Sequence, residues 1–382
     1  MLERKLLVAT VIGALALPGA VLAADPPAPA IPTLTQIFDA SGLTVTGYID
    51  ASFANLTGEG AFVNGIPNRV FDTQENSFNL QQAAITIAKQ PKEGFGGLVN
   101  VILGDDAQII HSYDEQAGAG TNRYDLTQAY VQYATGPLTV MAGKYVTNAG
   151  AETINPTAMT NFSRSILFGY AIPFAHTGIR AVYAINDMVT VLAGVNNGWD
   201  DLKDTNDAKT AEFGVTITPM KGLSILLTDY VGSERVGGLV GNGPQGNRNI
   251  FDLVVNWAAT DALSFTVNYD YGFQEDTQTV TPNASSKAKW DGVAGYVNYQ
   301  FNDMWRISVR GEYFDDKDGY RTGIEQKWKE GTVTLGFMPA KSTEIRLEAR
   351  GDVSSKASFV QTDNGEIGKT QYSYDVEAIY KF

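Results

Sequence analysis

From position 43 onward the chain alternates apolar and polar residues with a period of two. In the first such run Leu43, Val45, Ile49, Ala51 and Phe53 share one parity, and Thr44, Thr46, Tyr48, Asp50 and Ser52 share the other. Leu263, Phe265, Val267, Tyr269, Tyr271 and Phe273 alternate with Ser264, Thr266, Asn268 and Asp270 in the same way. Period two means a β-strand with one apolar and one polar face. The runs are about nine to eleven residues long, the length at which a tilted strand crosses a bilayer. About sixteen can be read, the first near Leu43, the tenth near Asn249, the twelfth near Asp291 and the last near Gln371.

The connections carry a second rhythm. Long ones cover 56–74, 106–123, 149–175, 197–209, 232–248, 275–288, 315–326 and 354–370; between them fall short ones such as Gly136-Pro137, Thr260-Asp261 and Asn302-Asp303. Short turns at one end and long loops at the other is the layout of a transmembrane β-barrel. The expected fold is therefore all-β: one antiparallel barrel of about sixteen strands over 42–382, with short periplasmic turns and long extracellular loops.

The two ends of the chain fit that layout. Arg4 and Lys5 precede an apolar run to Leu22 that closes on Val21-Leu22-Ala23, the order of a secretory signal; residues 1–23 are expected to be cleaved and 24–41 to form a periplasmic tail. At the other end Tyr372, Tyr374, Val376, Ala378, Tyr380 and Phe382 share a parity against Gln371, Ser373, Asp375, Glu377 and Lys381, broken only by Ile379. A terminal strand closing on aromatic Phe382 is similar to the segment that outer-membrane assembly machinery reads.

Composition narrows the picture further. The mean hydropathy of −0.12 hides membrane strands, because lipid-facing and lumen-facing residues average out. With no cysteine there is no disulfide framework or thiolate metal site, and a net charge of −14 argues against a nucleic-acid partner. No cofactor or metal is expected. His111 and His176 are the only imidazoles, and Ser163 and Ser165 lie near His176 in sequence without a spacing that forces a catalytic pair. The chain is expected not to be an enzyme.

The segment from Asp125 to Asp187 holds DLTQAYVQY, VMAGKYVTNAGAE and NPTAMTNFSRSILFGYAIPFAHTGIRAVYAIND. It resembles the OmpL-like β-barrel porin family, most closely over about sixty residues and more weakly over the rest of the chain. The resemblance implies a water-filled outer-membrane channel for small hydrophilic solutes or ions, seated among outer-membrane lipids, and allows a homotrimer. A surface-binding barrel, an adhesin or receptor working through its loops, is the alternative.

Two groups of residues are candidates for a constriction. The third long connection, 149–175, is rich in apolar groups, and porins commonly fold this loop into the lumen; Glu152, Asn155, Asn161 and Arg164 would form one side. The second group is basic: Arg306, Arg310, Arg346 and Arg350 lie on the polar parity of two strands separated by one other, Arg180 has the same inward parity, and Glu312 and Glu348 share that lumen wall. Arginine is costly on a lipid face, so these charges point inward. There they either set a transverse field across the pore or pair off as a satisfied wall network. Lys144 shares the lipid-facing parity, and either snorkels outward or is turned inward by a bulge at Gly143.

Overall fold

The computed structural model describes residues 38, 40–56, 62–63, 66–67, 69–72, 76–112, 122–236, 244–277, 286–360 and 366–382. The expected signal segment and most of the tail lie outside them.

Residues 42–382 build a closed antiparallel barrel of sixteen strands in which each strand pairs with its chain neighbours and the first pairs with the last. The strands are β1 (Thr44–Leu56), β2 (Ser77–Lys89), β3 (Gly94–Leu103), β4 (Tyr124–Thr135), β5 (Leu138–Val146), β6 (Ala175–Ala184), β7 (Val189–Asn196) and β8 (Thr210–Met220). They continue as β9 (Leu223–Arg235), β10 (Gln245–Ala258), β11 (Leu263–Glu275), β12 (Lys287–Gln300), β13 (Trp305–Asp316), β14 (Gln326–Ala340), β15 (Thr343–Ser354) and β16 (Thr370–Lys381). Closure leaves no unpaired strand edge in the hydrocarbon layer.

The alternation read from the sequence sets which face meets lipid. On β16 Tyr372, Tyr374, Val376 and Tyr380 are exposed, while Gln371, Ser373, Asp375 and Glu377 are buried inside the barrel. On β13 Arg306, Ser308, Arg310 and Glu312 are all buried, and outward Val309 is exposed. Exposed aromatics ring both ends: Phe95, Tyr133, Tyr299 and Phe301 near the short turns, and Phe78, Tyr124 and Tyr374 toward the long loops. These are the interfacial girdles of a membrane barrel.

Two strand starts need correcting. β10 begins at Gln245 and β12 at Lys287, four residues before the starts at Asn249 and Asp291 read from the sequence. These extensions project toward the loop end, where no lipid imposes alternation. Cross-strand pairs such as Arg248 with Gln274 and Glu275 with Lys287 continue the ladder there.

The seam is closed by the last residue. Phe382 exchanges backbone hydrogen bonds with Gly47, at 2.8 and 2.9 Å. A Cβ added at Gly47 would come within 2.4 Å of the Phe382 ring and 2.8 Å of the Ala84 carbonyl oxygen, so a side chain here would force both the ring and the neighbouring strand to shift.

Candidate functional site

Among the described residues, regular structure in the long connections comes in short pieces, including the two-stranded ribbons Phe62–Val63 with Ile66–Pro67 and Phe359–Val360 with Ile367–Gly368. Helix α1 (Asp105–Ile110) follows β3. The connection from β5 to β6 holds one 3₁₀ turn, Pro156–Ala158, and a π-helical turn, Leu167–Ala171. Such a segment leaves many backbone groups without ladder partners. Buried, they must find side chains instead.

The inner wall of β13–β15 supplies those side chains. Glu348 accepts from the backbone N–H groups of Phe162 and Ser163, at 2.7 and 2.9 Å. Glu312 accepts from Ile166 and Leu167 at 3.0 and 3.2 Å. The arginines take the carbonyls. Arg306 donates to Thr160 at 2.7 Å, Arg310 to Ser163 at 2.6 Å and Arg350 to Arg164 at 2.7 Å. Arg346 reaches three carbonyls: Asn161 at 3.2 Å, Pro156 at 3.0 Å and Met159 at 2.7 Å. Register explains the fit. Arg306, Arg310 and Glu312 lie on one parity of β13, Arg346, Glu348 and Arg350 on one parity of β15, and β14 separates the two strands with Thr332 and Thr334. The wall thus offers donors and acceptors in alternation to a backbone crossing it.

The same arginines are also matched by carboxylates. Arg310 pairs with Glu152 of the loop at 2.9 Å and with Glu330 at 3.1 Å; Arg346 pairs with Glu377 at 2.9 Å, Arg350 with Asp352 at 2.7 Å, and Arg306 with Glu344. Glu152 is held further by Tyr296 and the N–H of Ser165. All of these charges are buried. Paired and hydrogen-bonded, they do not carry the cost of isolated buried ions.

The loop is fixed beyond this wall as well. Arg164 donates to the Ile154 carbonyl at 2.8 Å and lies 3.9 Å from Asp106 of α1, and Gln82 of β2 bonds both Ile154 and Asp106. Burial pushes the Asp106 carboxyl up to about 6, against the opposing pull of Arg164 and the Gln82 amide. Asn161 bonds Thr334 at 2.6 Å. Asp200, in the connection between β7 and β8, accepts from the N–H groups of Phe174 and Ala175. Burial raises its carboxyl as well, opposed by those two bonds.

Above the π-helical turn the apolar residues of the loop find partners. Phe168 and Phe174 pack on Phe71, and Tyr170 packs on Trp328. Arg69 bonds Asp72, Asp352 and Ser373, so part of the first long connection also folds against the inner wall. Neither Arg69 nor Asp72 stood out in the sequence. Both sit in an irregular stretch where no period marks direction.

Of the loop residues singled out from the sequence, Glu152, Asn161 and Arg164 are buried in this network. Asn155 is exposed, and its side chain caps the 3₁₀ turn by accepting from Thr157 at 2.9 Å. Arg180 stands apart from the β13–β15 wall, bonded to Glu212 of β8 at 2.6 Å and to the Val146 carbonyl. Lys144 is buried and ion-paired with Asp125 at 3.2 Å. Gly143 beside it has φ +137°, and the alternation breaks there into two consecutive buried residues, Lys144 and Tyr145. Ser163 and His176 have separate partners: Ser163 meets Arg310, while His176 bonds the Gly198 carbonyl and stacks on Tyr230. Glu330 and Glu344, which complete the arginine pairs, were readable in principle, since each lies on the inward parity of its strand.

Among solved structures the chain is similar to OmpT of Vibrio cholerae, with TM-score 0.59 and 12% identity over 89% of this chain and 97% of that one. It is also similar to the outer-membrane channel DcaP of Acinetobacter baumannii, with TM-score 0.58, 13% identity, and 89% and 97% covered. The anion-selective porin from Comamonas acidovorans gives TM-score 0.61, 11% identity, and 89% and 99% covered. At such identities the likeness establishes the shared barrel. A search of curated protein sequences found no match. A family model described as "Putative beta-barrel porin-2, OmpL-like" matches residues 41–382, and the chain belongs to that family of outer-membrane porins.

Proposed function

We propose that this porin passes small hydrophilic solutes by diffusion through a lumen narrowed by the 147–174 connection. The observation that carries the reading is the alternating Arg and Glu wall of β13–β15, which bonds the loop backbone from inside the barrel. Sixteen strands give a barrel wide enough to hold water, whereas about eight would be filled by their own side chains. A loop docked on one side narrows such a barrel without filling it.

The proposed constriction residues divide by role. Asn155 presents its side chain to the water. Arg306, Arg310, Arg346, Arg350, Glu312, Glu348, Glu152 and Arg164 hold the loop, and so set the width of the passage more than its charge preference. Arg180 forms part of the opposite wall. In this reading residues 1–23 direct export and are removed, 24–41 lie in the periplasm with the short turns, and the long loops face outward. Phe382 marks the chain for barrel assembly. The porin assembles as a homotrimer, a reading drawn from family resemblance alone. The chain acts as a channel and not as an enzyme.

Planar-bilayer recording of the purified, refolded chain tests the function. Stepwise conductance is expected, and its absence would remove the porin reading.

A further inference from the structure

The inner wall is divided. On β13–β16 its side chains are charged and buried under the loop. On β5–β9, toward the short turns, four inward positions are apolar, Met141, Val182, Leu192 and Leu226, set among Thr139, Thr190, Thr216 and Ser224. Register places Met141 beside Arg180, Val182 across from Leu192, Leu192 beside Gly214, and Leu226 across from Thr216 and Val254. Met141, Val182, Leu192 and Leu226 are only half-buried, although each shares the inward parity of a lumen residue. They lie on β5, β6, β7 and β9, with Gly214 and Thr216 of β8 between Leu192 and Leu226, on the side of the lumen that the β13–β16 anchors do not cover.

Next to β9 the inner wall of β10–β12 is polar toward the short turns, and its acids Asp252 and Asp270 are buried farther toward the long loops. A cavity of about 170 Å³ separates the loop from the inner faces of β10–β12, lined by Asn256, Thr266, Asn298, Thr160 and Glu152 among others. Glu152, the one ionic group there, is matched by Arg310. Beside the four apolar residues, Arg180 is matched by Glu212. An ion entering this space gains no opposite charge, whereas a net-neutral solute loses little. A solute with an apolar group can turn that group to these four residues and its polar end to the amides and hydroxyls of β10–β12 beside them.

We propose that the half-buried residues Met141, Val182, Leu192 and Leu226 form a selectivity strip that favours net-neutral solutes bearing an apolar side group. The inference rests on the porin reading. Bringing a leucine-sized side chain half out of water on such a wall raises its local concentration about three- to tenfold. Below saturation, flux follows that partition.

Leucine and asparagine make the test, because they are zwitterions of nearly equal mass that cross lipid poorly. Proteoliposomes of the full chain should pass leucine about threefold faster than asparagine. In M141T/L192T/L226T the ratio should fall toward one with asparagine flux kept. If that triple variant does not give a folded barrel, L192T alone should show a smaller fall in the same direction. A wild-type ratio of one or less overturns the strip while asparagine flux leaves the porin reading standing. A high ratio unchanged by the substitutions overturns the assignment to these residues. No flux of either solute removes the porin reading and the strip with it.

Discussion

Replacing Glu348 by Ala removes the acceptor of two buried backbone N–H groups, those of Phe162 and Ser163, and of the Thr334 hydroxyl. Each buried donor left unmatched costs about 1–3 kcal/mol, so the docked loop should lose roughly 2–6 kcal/mol. Even the lower figure changes the ratio of docked to released loop about thirtyfold. The barrel itself should remain, since its strand ladders do not involve this carboxylate. Arg346, Arg310 and Glu312 still hold neighbouring segments, so the expected outcome is partial and intermittent release. Single-channel recording should show greater current noise and a higher mean conductance in E348A than in the wild type. E348Q keeps one acceptor oxygen but turns its NH₂ toward the second N–H, and should fall between the two. Heat-modifiable migration on a gel confirms that each variant is folded. A folded E348A with wild-type conductance and noise would refute the reasoning, because the loop would not depend on the wall for its backbone hydrogen bonds.

Three further outcomes follow from the same geometry. R346A removes the donor to three loop carbonyls and leaves Glu377 without its guanidinium, so it should raise conductance at least as much as E348A in the same recordings. Asp106 has its carboxyl raised to about 6, so the docked form holds a proton that a free carboxylate releases near pH 4. Docking is therefore stronger below about pH 4 and weakens by at most roughly 3 kcal/mol as pH rises through about 6. Current noise should fall on acidification from pH 7.5 to 5, and D106N should flatten that dependence; an unchanged slope in D106N would clear Asp106 of the effect. G47V puts a side chain against the Phe382 ring and the Ala84 carbonyl and should cut the yield of heat-modifiable barrel severalfold; a wild-type yield would mean that the ring and the strand backbone both give way.

The barrel was legible because lipid on one side and water on the other impose period two on every strand. The alternation broke where that constraint lapses. Gln245 and Lys287 start their strands beyond the lipid, and pairing there follows the partner strand instead of any hydropathy pattern. Lys144 could be read two ways, because its direction depends on a positive φ at Gly143 that the sequence only permits. The inward parity of Arg306, Arg310, Arg346 and Arg350 was also legible. Whether they faced open water or a partner was not, since their partners are loop carbonyls 146 to 190 positions away. A backbone carbonyl carries no side-chain signature. Arg69 was hidden for a different reason: it sits in an irregular stretch and reaches side chains of the neighbouring strands, Asp352 of β15 and Ser373 of β16.

The central claim is that the lumen is a water-filled passage whose width is set by the loop docked on the Arg and Glu wall. Single-channel conductance of the full chain, compared with a variant in which residues 151–173 are replaced by a short glycine–serine link, tests it most directly. The account predicts stepwise conductance for both, with larger steps once the loop is removed. Equal steps in two folded barrels, or no steps from either, would contradict it.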